Sequence, residues 1–159
     1  RAWANNWGFI TMSEQDLEYM THSMKPILAT DLAYIAFINE SPAAMIVALP
    51  NINEAISDLD GRLFPFGWAK LVYRLKIKGL KSARVLLMGV DPKHQSSITG
   101  SALSILLIEK VHDALRDKNM ETVELSWILD NNRAIQKIIE MVGGEVTRRY
   151  RLYHKDLCE

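Results

Sequence analysis

The sequence predicts an α/β (α+β) fold in which a sheet has helices on both faces. Three observations indicate it: a strand, turn and helix over 84–115, a second helix near 131–142 that ends at a glycine pair, and short apolar runs that alternate with amphipathic ones. With 159 residues, of which 48% are hydrophobic, the chain can form a substantial core. We expect one domain over residues 1–159, with a helical insertion at 50–82 between the third and fourth strands.

The segment 84–115 has the pattern of a buried strand followed by a long helix. Residues 85–90 are almost continuously apolar, which is typical of a strand covered on both faces, and the Asp91-Pro92 pair ends it. After the turn, apolar residues recur at helical spacing. Ser97 or Thr99 is the expected cap of this helix.

The turn before this helix has the composition of an anion-binding site. Ser96, Ser97, Thr99 and Ser101 supply hydroxyl donors. The first amides of a helix lack intrahelical acceptors and lie at the positive end of its dipole. Gly100 lets a ligand or a neighbouring backbone come near. The turn therefore predicts anion binding, and a capped helix without a ligand is the alternative.

The residue order in this turn is Val90-x-Pro92-x-x-Gln95-x-x-Ile98-x-Gly100-Ser101-Ala102-Leu103. It resembles the acyl-CoA-binding motif of the GNAT superfamily of N-acetyltransferases, whose core is Gln/Arg-x-x-Gly-x-Gly/Ala. Gln95 and Gly100 match that core, whereas Ile98 stands where the family usually has its first glycine. A β-branched residue with positive φ would be strained by about 1–2 kcal/mol. We therefore expect the loop to take another path or to bind coenzyme A less tightly.

A second stretch, residues 130–144, resembles the other common motif of that family, Asn-x-x-Ala-x-x-x-Tyr-x-x-x-Gly-Phe. Asn131, Ala134 and Gly143 are in register with it. Ile139 replaces the tyrosine that often protonates the departing thiolate, and Gly144 replaces the phenylalanine. The local pattern predicts a helix capped by Asp130 or Asn131 and ended by the glycine pair.

The remaining elements complete the order expected of a GNAT domain. We predict a strand at 8–12, a helix from Ser13 to about Met24 with a capping-box start, a hairpin of strands 32–38 and 43–49, a strand at 122–129 and a last strand at 145–154. The resemblance thus covers nearly the full chain, and it implies a mixed, mostly antiparallel sheet with splayed central strands.

The insertion at 50–82 is predicted to contain helices near 53–59 and 66–77. A lid that protects the sheet is one interpretation. Another makes Arg62 to Trp68 a wall of the acceptor pocket, with Phe64, Phe66 and Trp68 selecting the substrate's shape. Contact of a basic amphipathic helix with a membrane surface is less favoured, because the alternation is imperfect.

The resemblance implies direct transfer of an acetyl group from acetyl-CoA to the amine of a small-molecule or amino-acid-like acceptor. It also implies that the amide at or near Val90 polarises the carbonyl, and that Gly89 marks the bulge that splays the central strand. The residues expected to bind coenzyme A are Met88, Gly89, Val90, Gln95, Ser96, Ser97, Ile98, Thr99, Gly100, Ser101, Asn131 and Asn132.

The catalytic base and acid are less defined by the sequence. Glu124 and Ser126 share a face of the strand beside the splay, so Glu124 is a candidate base, directly or through water. A solvated or salt-bridged carboxylate is the alternative. Tyr150 or Tyr153 on the last predicted strand is a candidate acid, and simple packing with a hydrated hydroxyl is its alternative.

Composition narrows the class of partner. Nineteen basic and nineteen acidic residues cancel, so we expect no nucleic-acid partner, and we expect no membrane partner because no stretch has the length of a span. The single Cys158 excludes an internal disulfide and fits a cytoplasmic protein, and the histidines lack metal-ligand spacing. A homodimer or a tandem partner domain remains open, and so does a fragment, since the chain begins at Arg1. The alternative to an enzyme is a GNAT-fold domain that binds a ligand or partner without turnover.

Overall fold

The computed structural model describes residues 13–24, 30–125 and 127–155. It contains two compact units, Arg1–Trp127 and Ile128–Glu159. The first unit carries a four-stranded sheet in the order β1-β2-β3-β4, formed by Ala33–Ile38, Ser41–Pro50, Ser82–Val90 and Thr122–Leu125. The pairs β1–β2 and β2–β3 are antiparallel, and β3–β4 is parallel. The predicted mixed, mostly antiparallel sheet is therefore confirmed.

Five α-helices accompany the sheet in the described residues: α1 Glu14–Met24, α2 Ile52–Ile56, α3 Gly67–Tyr73, α4 Ile98–Asp117 and α5 Arg133–Met141. A short 3₁₀ turn covers Thr30–Leu32, and α3 continues as a π-helical stretch over Arg74–Lys78. Within the described residues, no helix has the length and apolar character needed to cross a bilayer.

Local sequence signals explain how several of these elements begin and turn. Ser13 and Asp16 form the predicted capping box, in which the Asp16 amide donates to Ser13 Oγ and the Ser13 amide donates to Asp16 Oδ2. The β1–β2 hairpin closes through Asn39 and Glu40, whose φ values of 47° and 63° suit a two-residue turn with left-handed backbone. The predicted hairpin and first helix are confirmed.

The core lies between α4 and the sheet. Leu32, Ile46 and Leu115 are fully buried there, and Leu107 and Val111 join them from the apolar face of α4. Burying a side chain of this size contributes about 1.5–3 kcal/mol, so α4 is fixed to the sheet mainly by these contacts. On β1, Ile35 and Phe37 point away from this core and are 58% and 60% exposed. A second helical layer over that face stays a prediction.

Three of the predicted elements are corrected or fall outside the description. The strand expected over 122–129 pairs with β3 only as far as Leu125. The strand expected over 145–154 is not formed, and Val146, Tyr150 and Leu152 are each about 70% exposed or more. An alternating apolar pattern indicates that one face of a strand could be buried, but a strand also needs a neighbouring strand to pair with. The predicted strand at 8–12 lies outside the described residues.

The second unit is organised around α5. Asn132 caps this helix, because its Oδ1 accepts from the Ile135 amide at 3.4 Å, so the predicted cap at Asp130 or Asn131 is wrong by one residue or more. Gly143 ends the helix with a φ of 82°, as the glycine pair predicts. Whether residues 1–159 form one domain stays a prediction.

Candidate functional site

The turn between β3 and α4 is organised by Asp91. Its main-chain oxygen accepts from the amides of His94 at 2.8 Å and Gln95 at 3.1 Å, and its Oδ1 accepts from the Lys93 amide at 2.9 Å. The Asp91 amide in turn donates to the Ala43 oxygen on β2 at 2.7 Å. This one residue therefore fixes the turn's direction as the chain leaves the sheet. Sequence analysis treated Asp91 only as the end of a strand, although Asp-Pro is a recognisable turn signal.

The N-terminus of α4 faces the end of this turn and has amides available for a ligand. Ser97 caps the helix, because its Oγ accepts from the Gly100 amide at 3.0 Å. The amides of Ser96, Ile98 and Thr99 have no acceptor among the residues that the structure describes. We call these three amides, with the hydroxyls of Ser96 and Thr99, the α4 mouth; the Ser101 hydroxyl donates to the Ser97 main-chain oxygen at 3.4 Å. Such a group of donors at the positive end of a 20-residue helix suits a phosphate.

Gly100 is required by packing within the turn. A Cβ at this position would lie 2.0 Å from the His94 main-chain oxygen and 3.4 Å from Val90 Cγ1. The His94 oxygen also accepts from the amide and hydroxyl of Ser97, at 3.0 and 2.8 Å. Close approach of a neighbouring backbone, one of the two roles expected for this glycine, is therefore what the structure shows.

Ile98 begins α4 and does not adopt a left-handed backbone conformation. It is the first residue of α4, it is absent from the residues with positive φ, and its side chain is 90% exposed. The strain that a left-handed isoleucine would carry is thus avoided. The consequence is an exposed butyl group beside the amides of the α4 mouth.

Among the described residues, β3 extends beyond its pairing with β4, and we call the unpaired side of β3 over 86–90 the fork. The β3–β4 pairing runs from Ser82 with Thr122 to Val85 with Leu125, whereas β3 continues to Val90. Among the described residues, 86–90 therefore have no strand partner on that side. The splay between central strands that the resemblance implies stays a prediction. The fork runs toward the turn that leads into the α4 mouth.

Backbone alternation identifies which β3 amides line the fork. The Asp91 amide points to β2, and successive amides of a strand point to opposite sides. The amides of Val90 and Met88 are therefore directed away from β2, into the fork. Gln95 Nε2 donates to the Val90 oxygen at 3.0 Å from the same side. The pairing irregularity lies at Leu86, where the register passes from Val47–Leu87 to Ala48–Val85, so the bulge predicted at Gly89 is misplaced by three residues.

Glu124 lies at the base of the fork, paired with Arg84 on the adjacent strand. Arg84 Nη2 donates to Glu124 Oε1 at 2.9 Å, and the two residues are opposite each other in the parallel ladder. Arg84 Nε is buried without a partner among the described residues. Sequence analysis missed Arg84, whose signal was a single cation within an apolar strand. Ser126, predicted to share the face of Glu124, lies outside the described residues.

The other predicted site residues belong to the second unit. Asn132 is occupied as the cap of α5, Asn131 is exposed, and Tyr150 and Tyr153 are 69% and 87% exposed. Gln136 Nε2 donates to the Leu129 and Asp130 oxygens at 3.2 Å each, which ties α5 to the chain before it. Roles for these residues in cofactor binding or proton transfer stay predictions.

The insertion is held together by ion pairs. Asp58 accepts from Lys70 Nζ and from Arg74 Nη1, both at 2.5 Å. Hydrogen bonds from Arg74 and Lys70 hold the pKa of Asp58 well below its ordinary value. Arg74 Nη1 also donates to the Ala55 oxygen at 2.7 Å, which joins α3 to α2. The two predicted helices of the insertion are confirmed: the first as α2, and the second as α3 with its π-helical continuation over Arg74–Lys78.

Glu54 attaches this insertion to the start of β3. Its carboxylate accepts from the Ser82 hydroxyl at 2.6 Å, from the Ser82 amide at 2.9 Å and from the Lys81 amide at 3.1 Å. Burial opposes ionisation, but these hydrogen bonds outweigh it and lower the pKa of Glu54. The anchored end therefore lies at the start of β3, away from the turn after Val90.

Three aromatic residues of the insertion, Phe64, Phe66 and Trp68, were predicted to line an acceptor pocket. Their side chains are 83%, 78% and 53% exposed. Their role as a pocket wall stays a prediction. In the described parts of the chain, no three His, Cys, Asp or Glu side chains come together as metal ligands would.

The described geometry matches solved acetyltransferases. The aminoglycoside 6'-N-acetyltransferase AAC(6')-IG from Acinetobacter haemolyticus superposes with a TM-score of 0.55 at 14% identity, covering 94% of this chain and 86% of that one. AAC(6')-Iy bound to a CoA bisubstrate analogue gives 0.54 at 15% identity, covering 98% and 85%. AAC(6')-Iy in complex with CoA gives 0.52 at 17% identity, covering 92% and 97%. The chain thus has the GNAT acetyltransferase fold that its motifs resemble.

Two curated proteins are more closely similar in sequence. Protein YghO of Escherichia coli (strain K12) is 46% identical over 155 residues, which is 98% of this chain and 40% of that protein. The bacterial ceramide synthase of Caulobacter vibrioides (strain NA1000 / CB15N) is 42% identical over 156 residues, or 98% and 41%. The chain therefore spans about two fifths of the length of these relatives. No family model matches the sequence.

Proposed function

We propose that the chain is an acyl-CoA-dependent N-acyltransferase domain that moves an acetyl or longer acyl group to an amine. The observation that carries the proposal is the fork between β3 and β4, which runs toward the α4 mouth. A donor molecule with a pyrophosphate at one end and a thioester at the other fits such a path. The solved neighbours with bound CoA or a CoA analogue share this fold and support the same donor.

The α4 mouth would hold the phosphates of the donor. The amides of Ser96, Ile98 and Thr99 would donate to the phosphate oxygens with the backbone as it stands, and the helix dipole favours negative charge there. The hydroxyls of Ser96 and Thr99 would add donors that need no backbone with positive φ. These groups offset the absence of the motif glycine at position 98.

The transfer step follows from the groups at the fork. The nitrogen of a neutral amine attacks the thioester carbonyl, a C–N bond forms, and the C–S bond breaks. Amides of Met88 and Val90 directed into the fork would stabilise the developing oxyanion. Glu124 would take a proton from the acceptor's ammonium before the neutral amine attacks, and Arg84 would orient its carboxylate. The nitrogen would lose its second proton to water, and the departing thiolate would take a proton from water. Tyr150 and Tyr153 stay predicted candidate acids.

The acceptor is a primary amine, for which two chemical classes have support. The motifs resemble those of enzymes that acetylate small or amino-acid-like amines. A ceramide is an N-acylated long-chain amino alcohol, and the Caulobacter relative carries the name of a ceramide synthase at 42% identity. We therefore place a long-chain amino alcohol beside small amines in the panel to be tested.

Donor binding is tested by adding charge at the α4 mouth. Ile98→Glu places a carboxylate on an exposed first-turn position, where the helix dipole tolerates it, so the fold should stay intact. The same carboxylate should repel the donor's phosphates and weaken CoA affinity about tenfold or more in calorimetry. Asn53→Asp, an exposed first-turn position of α2, is the matched control and should bind normally. Equal affinity of both variants would contradict the proposed donor site.

Turnover is tested separately with Glu124→Gln. The amide oxygen can still accept from Arg84, so the strand pairing should survive, while a general base typically contributes about 10²–10⁴-fold to the rate. Loss of turnover with unchanged CoA affinity supports the base. CoA binding without turnover in the unmodified chain across the panel would instead favour the non-catalytic GNAT-fold domain, which the replacements at Ile98 and Ile139 support.

A further inference from the structure

Part of the insertion concentrates positive charge. Residues 62–78, which we call the basic aromatic segment, contain no aspartate or glutamate and carry Arg62, Lys70, Arg74, Lys76 and Lys78. The whole chain has zero formal net charge. This cationic stretch is therefore a local feature, and it should create a positive field over one part of the surface.

The same segment exposes large apolar side chains. Phe64, Phe66 and Ile77 are 83%, 78% and 74% exposed. Trp68 and Val72 are half exposed and lie four residues apart on α3, so they share a face of the helix. An apolar surface of this kind beside cations marks an interaction site.

Internal contacts divide four of the five cations into two groups, and the fifth, Lys78, interacts electrostatically with Glu54. Lys70 and Arg74 are engaged by Asp58, which holds α3 against α2. Arg62 and Lys76 form no ion pair with any residue that the structure describes. The first pair thus fixes the segment, and the second pair is available to an external anionic surface.

We propose that the basic aromatic segment docks on a bilayer containing anionic phospholipid, with its aromatic side chains among the headgroups. The sequence predicts no membrane partner because no stretch has the length of a span, but docking on a membrane surface needs no spanning segment. Aromatic residues favour the membrane interface, and lysine and arginine near an anionic leaflet are attracted to it. Protein interfaces are depleted in lysine, so Lys76 and Lys78 favour lipid over a protein partner. The exposure of Phe64 and Phe66 also suits a bilayer better than a pocket wall.

The placement of the insertion is compatible with this docking. It leaves the sheet after Pro50 and returns at Ser82, while the turn before the α4 mouth follows Val90 at the other end of β3. A nine-residue strand spans about 26 Å between those ends. The segment can therefore rest on a membrane while the α4 mouth stays open to water.

Vesicle sedimentation tests the proposal with the 159-residue chain. Phosphatidylcholine vesicles are compared with vesicles that contain about one third phosphatidylglycerol, and we expect roughly tenfold more bound protein on the anionic ones. Arg62→Glu combined with Lys76→Glu should abolish this difference, and Phe64→Ser should weaken binding several-fold. Lys110→Glu combined with Arg116→Glu changes the net charge equally on α4 and should bind as the unmodified chain does.

The controls separate the alternative outcomes. Thermal unfolding of each variant should match that of the unmodified chain, because the substituted side chains are exposed. Equal binding to neutral and anionic vesicles, or equal loss in the α4 control, would overturn the proposal. Self-association that Phe64→Ser abolishes, without vesicle binding, would also overturn it and assign the segment to a second copy of the chain. The experiment measures lipid binding alone, so a negative result would not contradict the proposed acyl transfer.

Discussion

Replacing Gly100 with alanine should destabilise the turn that forms the α4 mouth. The new Cβ would lie 2.0 Å from the His94 main-chain oxygen, so the turn must move by about 1 Å or more to restore van der Waals contact. That oxygen accepts two hydrogen bonds from Ser97, through its amide at 3.0 Å and its hydroxyl at 2.8 Å. The substitution therefore perturbs the cap as well as the turn.

The expected magnitude follows from these contacts. Two hydrogen bonds at about 1 kcal/mol each set the loss near 2 kcal/mol. The better helix propensity of alanine offsets at most about 1 kcal/mol of it. A net loss of about 1–2 kcal/mol corresponds to a Tm decrease of roughly 2–8 °C for a chain of this size.

Urea denaturation and thermal unfolding measure the stability change, and calorimetry with CoA measures the effect on the α4 mouth. Gly100→Ala should lose both stability and CoA affinity. Glu109→Ala, at an exposed position in the middle of α4, is the control and should change neither. An alanine variant as stable as the unmodified chain would refute the close-approach argument for Gly100.

Three further outcomes are expected. Ser97→Ala should lower the free energy of unfolding by about 1 kcal/mol, because its hydroxyl caps α4, and urea denaturation measures this. Asp58→Asn should loosen the insertion without unfolding the sheet, because it removes the ion pair with Arg74. Limited proteolysis within 59–78 should become faster, and unchanged cleavage would contradict this expectation. Glu54 has a folded-state pKa below its ordinary 4.5, so its stabilising contribution is present above that value and is lost as the pH falls further. Glu54→Gln should therefore show a shallower loss of stability with acidification, and an unchanged pH profile would rule out this role.

Sequence reasoning succeeded where local chemistry and periodicity act together. The capping box at Ser13 fixes the first helix, and the Ser97 hydroxyl before a periodic apolar run fixes the start of α4. The strand predictions were wrong where a strand depends on a partner that is distant in the chain. The alternation at 145–154 does not say whether a neighbour is present, and the strand predicted at 122–129 pairs with β3 over Thr122–Leu125 among the described residues.

The site residues also divide into those that local sequence identifies and those that depend on contacts with distant segments. Gln95 and Gly100 could be identified from motif spacing and Ser97 from its place before an apolar helix, and the structure brings them together at the turn. Asp91 and Arg84 were missed as site residues because their roles arise from contacts: one orders a turn through its own backbone, and the other meets Glu124 across a parallel ladder.

The sequence by itself determined the order of the main elements, the capped helix after an apolar strand, and the departure at Ile98. Local hydrogen bonding and side-chain periodicity are written in neighbouring residues, so these features need no distant contact. Only the tertiary structure decided where the fork opens, which amides face it, and how far the aromatic side chains of the insertion are exposed. These depend on strand register and on packing between segments far apart in the chain, which local pattern does not specify.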